Sequence, residues 1–295
     1  MTDNRTPSAH RRTATLIGFV AVLLWSALAL LTAASGAIPP FELAALTFLI
    51  GGVLGLGYAT ARGRLGALLQ PWPVWLVGVG GLFGYHALYF AALRLAPPAE
   101  ASLVAYLWPL LIVLMSAALP GERLSARHVL GAGIGFAGAA ILFWGKRGAA
   151  GAALSADAAL GYLLALGCAF VWSSYSVLSR LLKKAPTEAV AGFCLVTSAL
   201  AALCHAAFET TALPASWTEI VAIVGLGLGP VGLAFYVWDY GVKNGDIRLL
   251  GVAAYAAPVL STLILVAAGY APATPSLALA CGLIVGGAVV ASRKG

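Results

Sequence analysis

Charge is what this chain has least of. Asp, Glu, Lys and Arg make up 9% of its 295 residues, against about 25% in soluble domains. That scarcity excludes an ordinary water-facing globule, and 61% hydrophobic residues with a mean hydropathy of +0.96 make lipid the solvent instead. Other absences narrow the function. No Gly-x4-Gly-Lys-Ser/Thr spacing occurs, so there is no loop to cradle the phosphates of ATP. No His/Cys/carboxylate cluster has metal-ligand spacing and no nucleophile stands with a base, so neither catalytic residues nor a metal nor any cofactor is expected. Cysteine is scarce too: Cys168, Cys194, Cys204 and Cys281 fall inside apolar segments and read as small buried hydrophobes, not as a disulfide framework.

What the chain does have is apolar runs, at 15–34, 41–60, 73–94, 98–119, 127–145, 158–182, 188–208, 218–241, 246–268 and 275–292. Each reaches or approaches the roughly 20 helical residues that cover a 30 Å hydrocarbon core. The expected fold class is all-α integral membrane, with ten transmembrane helices. Residues 1–12 are polar and expected to form a disordered cytoplasmic tail. The first apolar run is too long for a signal peptide, lacks a cleavage region and is taken as a retained helix.

A net charge of +7 would suggest nucleic acid in a soluble protein. Here the basic residues are topology signals, and no nucleic-acid partner is expected. With the N-terminus inside, all 17 basic residues except Arg94, Lys146 and Arg147 fall on the cytoplasmic side. Both termini are therefore expected in the cytoplasm, with the chain in the inner membrane.

The second half of the sequence repeats the first at a nearly constant offset. Trp25-Ser26-Ala27 returns as Trp172-Ser173-Ser174, Pro40-Phe41-Glu42 as Pro186-Thr187-Glu188, and Tyr85/Tyr89 as Tyr236/Tyr240. Tyr106/Pro109 returns as Tyr255/Pro258, and Gly131/Gly135 as Gly282/Gly286. The expected organisation is a first five-helix repeat at 13–147, a Gly/Ala-rich linker at 148–157 and a second repeat at 158–295. Because five is odd, the second copy enters the bilayer upside down, as in secondary transporters built on a midplane site. The glycine pairs have the small-xxx-small spacing of close helix contacts. Packing inside the bundle and a dimer interface both fit, so monomer and homodimer stay open.

From Tyr85 through Pro109 to Gly121-Glu122-Arg123-Leu124-Ser125, and again from Tyr236 through Pro258, the chain resembles the ten-helix drug/metabolite transporter superfamily, EamA type. The Trp in each half's first helix and the Pro in each half's fourth carry the same resemblance. Length and aromatic-rich helices are similar to the YddG-type exporters of aromatic amino acids. The second half departs from the pattern, with Gly269-Tyr270-Ala271-Pro272-Ala273 where a second Gly-Glu-Arg corner is expected. The two gates are then chemically unequal.

Ten aromatic residues deep in the spans are candidate substrate-binding residues: Trp25, Tyr85, Tyr89, Tyr106, Trp108, Trp172, Tyr175, Tyr236, Tyr240 and Tyr255. Tyr85 and Tyr89 share a helix face at i, i+4, as do Tyr236 and Tyr240. Core filling and interfacial anchoring compete for each of them. Trp72, Trp75, Trp144 and Trp217, near helix ends, read as anchors. The resemblance places the substrate path at Tyr89, Tyr106 and Trp108.

An aromatic wall suits a flat apolar side chain, with Ser26, Ser173, Ser174 and tyrosine hydroxyls for a zwitterionic end. Pro109 and Pro258 are candidate hinges, because a proline inside a helix removes a backbone hydrogen bond. Intramembrane ionisable groups are few: His86, Glu42, Glu188, Asp239 and Glu100, with no carboxylate pair expected. His86 either couples protons or bonds a neighbour.

The expected function is export of small organic metabolites by alternating access, most of all amino acids with aromatic or apolar side chains. The expected partners are that small-molecule substrate and the lipid bilayer. Efflux of drugs or other metabolites is an alternative, and an integral-membrane enzyme acting on lipid substrates is a further one.

Overall fold

A chain with almost no polar side chains to spare must satisfy its backbone groups internally, and in lipid a helix does so within one segment. The computed structural model describes residues 7–96, 98–120, 124–144, 156–269 and 273–292, and among them the regular structure is helical throughout. The helices are α1 (Pro7–Ser26), α2 (Leu28–Ala34), α3 (Pro40–Ala61), α4 (Trp72–Leu95), α5 (Pro98–Ala105), α6 (Trp108–Met115) and α7 (Ala126–Trp144). They continue as α8 (Ala156–Leu181), α9 (Val190–Phe208), α10 (Trp217–Leu228), α11 (Ala234–Asn244), α12 (Ile247–Ala253), α13 (Ala256–Ala267) and α14 (Pro275–Ser292). Among the described residues, seven helical stretches are long and apolar enough to cross a bilayer, and Trp108–Ala118, Ala126–Ile141 and Pro275–Ala291 are shorter apolar helices. The Glu122 corner, the 145–155 stretch and the Tyr270 corner lie outside the described residues.

The chain forms two compact units, Met1–Phe83 with Leu178–Asp246 and Gly84–Val177 with Ile247–Gly295. Each unit draws on both halves of the sequence.

In the first unit α3 packs along α9 and α1 along α11. The Ser198 hydroxyl donates to the Ala45 carbonyl at 2.7 Å, and Phe48 stacks on Phe235 with centroids 5.4 Å apart. A π-helical turn, Gly229–Leu233, joins α10 to α11. There the chain comes so close to α3 that a Cβ on Gly51 would lie 2.7 Å from the Gly232 Cα. Helix α10 starts on a reciprocal cap, in which Ser216 accepts from the Glu219 amide and the Glu219 carboxylate accepts from the Ala215 amide.

In the second unit α7 packs along α14. A Cβ on Gly131 would lie 2.6 Å from the Gly287 carbonyl oxygen, and one on Gly135 would lie 2.7 Å from the Tyr255 ring. Gly131 and Gly135 thus serve packing inside the unit. Their sequence counterparts Gly282 and Gly286 face open space, and Gly287 makes the contact on α14 instead.

Residues 7–12, expected as part of a disordered tail, are the first turns of α1. The cause is anchoring. Arg11 pairs with Asp246 at 3.2 Å, and the Thr15 hydroxyl accepts from the Asp246 amide at 2.8 Å.

Candidate functional site

The aromatic candidates separate into groups according to the helices that carry them. In the second unit Trp172 on α8 is the hub, only 4% exposed. Its ring centroid stands 5.5 Å from Tyr85, 6.2 Å from Trp108 and 5.2 Å from Tyr175. Tyr85 and Tyr89 stack along α4 at 5.9 Å with their planes 20° apart, as their i, i+4 spacing requires. Tyr106 tilts over Trp108 at 6.5 Å, and the Tyr89 hydroxyl bonds Ser102 at 2.8 Å. Alanines 92, 96, 101, 105 and 165 with Cys168 back Tyr85 and Tyr89. Small residues behind and large rings in front let α4, α5 and α8 approach closely without losing the aromatic face. His86 points its ring at Tyr85 and Phe90, at 5.3 and 6.0 Å. Tyr255 is fully buried against Phe136 in the core around α7 and α14, a core on which Tyr106 also packs.

The candidate hinges sit at helix breaks. At Tyr106–Leu107 α5 ends and α6 begins, and Pro109 falls in the first turn of α6. At Ala254–Tyr255 α12 gives way to α13, with Pro258 in its first turn. Both breaks carry a tightened i→i−3 hydrogen bond, Leu107 to Val104 at 3.1 Å and Tyr255 to Val252 at 3.3 Å. The sequence places both prolines inside continuous helices; the structure starts a new helix just before each. The pyrrolidine ring clashes with the carbonyl four residues back, Ala105 or Ala254, and is tolerated in a first turn. The Ser173 hydroxyl shares its proton between the Ala169 carbonyl of its own helix at 2.7 Å and the Trp108 carbonyl at 2.9 Å.

The remaining candidates, Trp25, Tyr236 and Tyr240, lie in the first unit. The Trp25 indole donates to the Pro230 carbonyl at 3.0 Å and its ring packs 5.1 Å from Trp238. The Tyr236 hydroxyl donates to the Gly51 carbonyl at 2.9 Å, filling the space that the missing side chain of Gly55 leaves. Tyr236 and Tyr240 line a cavity of about 760 Å³ together with Leu54, Leu228, Leu233 and Arg64. That volume is in the range of small-molecule sites, about 300 to 1,000 Å³.

Charged side chains in the first unit form both local i,i+4 pairs and long-range ones. Lys243 bonds Asp239 at 2.8 Å, both buried, and Thr187 donates to the same carboxylate at 2.7 Å. Arg64 pairs with Glu188, and that hydrogen bond holds the guanidinium above its ordinary value. No carboxylate pair was expected, yet Glu42 and Glu209 both approach His205, at 3.8 and 3.0 Å. Glu209 also accepts the amides of Phe41 and Glu42 at the start of α3. The side chain of Glu100 lies outside the described residues. The anchor tryptophans divide: Trp72 and Trp217 are 74% and 79% exposed, whereas Trp75 packs on Phe193 at 5.4 Å. The Trp144 side chain is outside the described residues.

The π-turn at Gly229–Leu233 is not among the sequence expectations. Its signal was present in Gly227-Leu-Gly229-Pro230-Val-Gly232, a proline among glycines in mid-span, as is usual where a helix ladder is interrupted. His205 carries a local signal in Glu209 four residues on, whereas its approach to Glu42, in the first turn of α3, is long-range and leaves no mark in the sequence.

Comparison with known proteins bears on this geometry. The aromatic amino acid exporter YddG of Ancylobacter novellus is 61% identical over 283 residues, covering 96% of this chain and 98% of that protein. The aromatic amino acid exporter YddG of Escherichia coli is 25% identical, covering 97% and 99%. A protein crystal structure at 60% identity has a TM-score of 0.91, covering 96% of this chain and 98% of its own. Residues 12–144 and 159–293 each match the EamA-like transporter family. Matched twice, along nearly all its length, the chain belongs to the EamA-like transporter family.

Proposed function

We propose that this transporter exports amino acids with aromatic or other apolar side chains across the inner membrane by alternating access. Its ten spans form two inverted five-helix repeats, 13–147 and 158–295, with both termini in the cytoplasm. The observation that carries the substrate class is the ring cluster centred on Trp172, in which Tyr85, Tyr89, Tyr106 and Trp108 come from the first repeat and Trp172 and Tyr175 from the second. Edge-to-face and offset ring contacts are worth about 0.5 to 1.5 kcal/mol each beyond area. An aromatic side chain that joins the cluster gains such contacts, whereas a small polar one does not. The relatives named as aromatic amino acid exporters support the same class.

Helix pairing supports the duplication. The second span packs on the seventh (α3 on α9) and the fifth on the tenth (α7 on α14), so equivalent helices meet. The first meets the eighth (α1 with α11), and the exchange of repeats maps that pair onto the third with the sixth, where Tyr85 of α4 meets Trp172 of α8. Such reciprocity is what a two-fold relation between copies produces. The helix breaks before Pro109 and Pro258 are the proposed hinges, one in each repeat, and His86 beside Tyr85 is the proposed proton-coupling group.

Purified protein in proteoliposomes loaded with unlabelled phenylalanine should accumulate labelled phenylalanine by counterflow. Movement of a flat cationic dye with neither phenylalanine nor threonine transported would transfer the protein to drug efflux. Turnover of a lipid substrate without any flux would make it an enzyme.

A further inference from the structure

The cavity of the first unit has a lining of two opposite chemistries. Leu54, Leu228 and Leu233 are 51%, 46% and 50% exposed, an apolar wall on the outside of the α3, α10 and α11 packing. Arg64 and Lys183, just past the C-terminal ends of α3 and α8, line the cavity too, with Tyr58 one turn beyond Leu54 on α3 and Tyr240 and Asn244 on successive turns of α11. Arg62, stacked at 5.8 Å on the Tyr58 ring, and Lys184 adjoin this rim in sequence. Positive charge there is only partly cancelled. Glu188 is engaged by Arg64, and Asp239 is engaged by Lys243 and Thr187. Lys183 is exposed and, among the described residues, makes no ion pair.

We propose that this cavity is a binding site for an anionic phospholipid, with the phosphate held by Arg64 and Lys183 and the acyl chains lying along Leu54, Leu228 and Leu233. Such a lipid is complementary to both the basic rim and the apolar wall. A soluble anion would satisfy the cations and leave the leucine wall without a function. A zwitterionic lipid would bring its own ammonium to a rim where Arg62, Arg64, Lys183 and Lys184 repel it. An anionic lipid matches the rim and the wall together, and basic rims between membrane helices on the cytoplasmic side attract such headgroups. The placement in the inner leaflet rests on the orientation proposed above. Tyr236, whose hydroxyl is tied to Gly51, then forms part of the lipid seat, so lipid occupancy bears on the α3 to π-turn contact.

The test reads lipid binding and not transport, so it stands or falls separately from the exporter proposal. Delipidated protein is titrated with dioleoyl-phosphatidylglycerol, dioleoyl-phosphatidylcholine or inorganic phosphate, and retention is read by native mass spectrometry alongside the thermal midpoint. Wild type should retain one phosphatidylglycerol in preference to phosphatidylcholine and melt higher with it, while phosphate alone does neither. Lys183→Glu, at an exposed position that leaves the fold intact, should weaken phosphatidylglycerol retention by roughly tenfold, and Lys183→Arg should preserve it. Equal retention of the two lipids, equal stabilisation by free phosphate, or unchanged retention in Lys183→Glu would each overturn the site.

Discussion

The Ser173 hydroxyl lies 2.9 Å from the carbonyl oxygen of Trp108, a hydrogen bond from the middle of α8 to the first residue of α6. It joins the hub of the aromatic cluster to the helix break that Pro109 enforces. Ser26, its counterpart in the repeat, bonds only within its own helix, to the Leu23 carbonyl. The single Ser173 proton is shared with the Ala169 carbonyl at 2.7 Å in its own helix, so Ser173→Ala should lower stability by at most about 1 kcal/mol, the usual net worth of one such bond. Ser26→Ala should be close to neutral. Thermal melts of the two variants in one detergent check the contrast, and equal midpoints would mean that the link to Trp108 contributes nothing.

Gly232 marks where the π-turn presses on its surroundings. A Cβ there would lie 2.0 Å from the Gly227 carbonyl oxygen and 3.3 Å from the Gly51 Cα. Gly232→Ala should cost about 1 to 3 kcal/mol, as overpacking does, and should open the Trp25 to Pro230 hydrogen bond. Gly282→Ala, where nothing stands within 4 Å, should melt with wild type. Intrinsic tryptophan fluorescence followed through thermal unfolding reports both midpoints.

Asp239 and Lys243 form a buried ion pair one helical turn apart, and Lys243 also donates to the Ala185 carbonyl at 2.9 Å. Removing one partner strands the other charge away from water. Asp239→Ala should destabilise by about 3 to 5 kcal/mol, whereas Asp239→Leu combined with Lys243→Met should recover much of that loss. A double-mutant cycle measured by thermal denaturation checks it; strict additivity of the two single losses would rule the pairing unimportant.

Much of the helical architecture was legible because composition and run length alone decide it. Spans such as 41–60 and 188–208 agree closely with α3 and with the Thr187–Phe208 stretch. Local spacing also foretold the Tyr85/Tyr89 stack, since i, i+4 geometry is fixed by the helix itself. Long-range pairings were not legible. Glu209 meets Phe41 and Glu42 across more than 160 residues, and nothing in either stretch encodes the other. Gly287, not Gly282 or Gly286, meets α7, because helix rotation follows from packing and not from repeat alignment. Proline gave the position of each helix break within a few residues but not its form, for the ring prefers the first turn of a new helix to the middle of an old one.

In the proposed transport cycle the rings around Trp172 bind the side chain of an aromatic amino acid. Counterflow kinetics of labelled phenylalanine and labelled valine, measured for wild type and Trp108→Ala at matched folded protein, test it most directly. Loss of one or two ring contacts should raise the KM for phenylalanine by about 3- to 30-fold and leave that for valine within about twofold. An equal change for both substrates, or none for phenylalanine, would contradict the account and return Trp108 to the packing of the core.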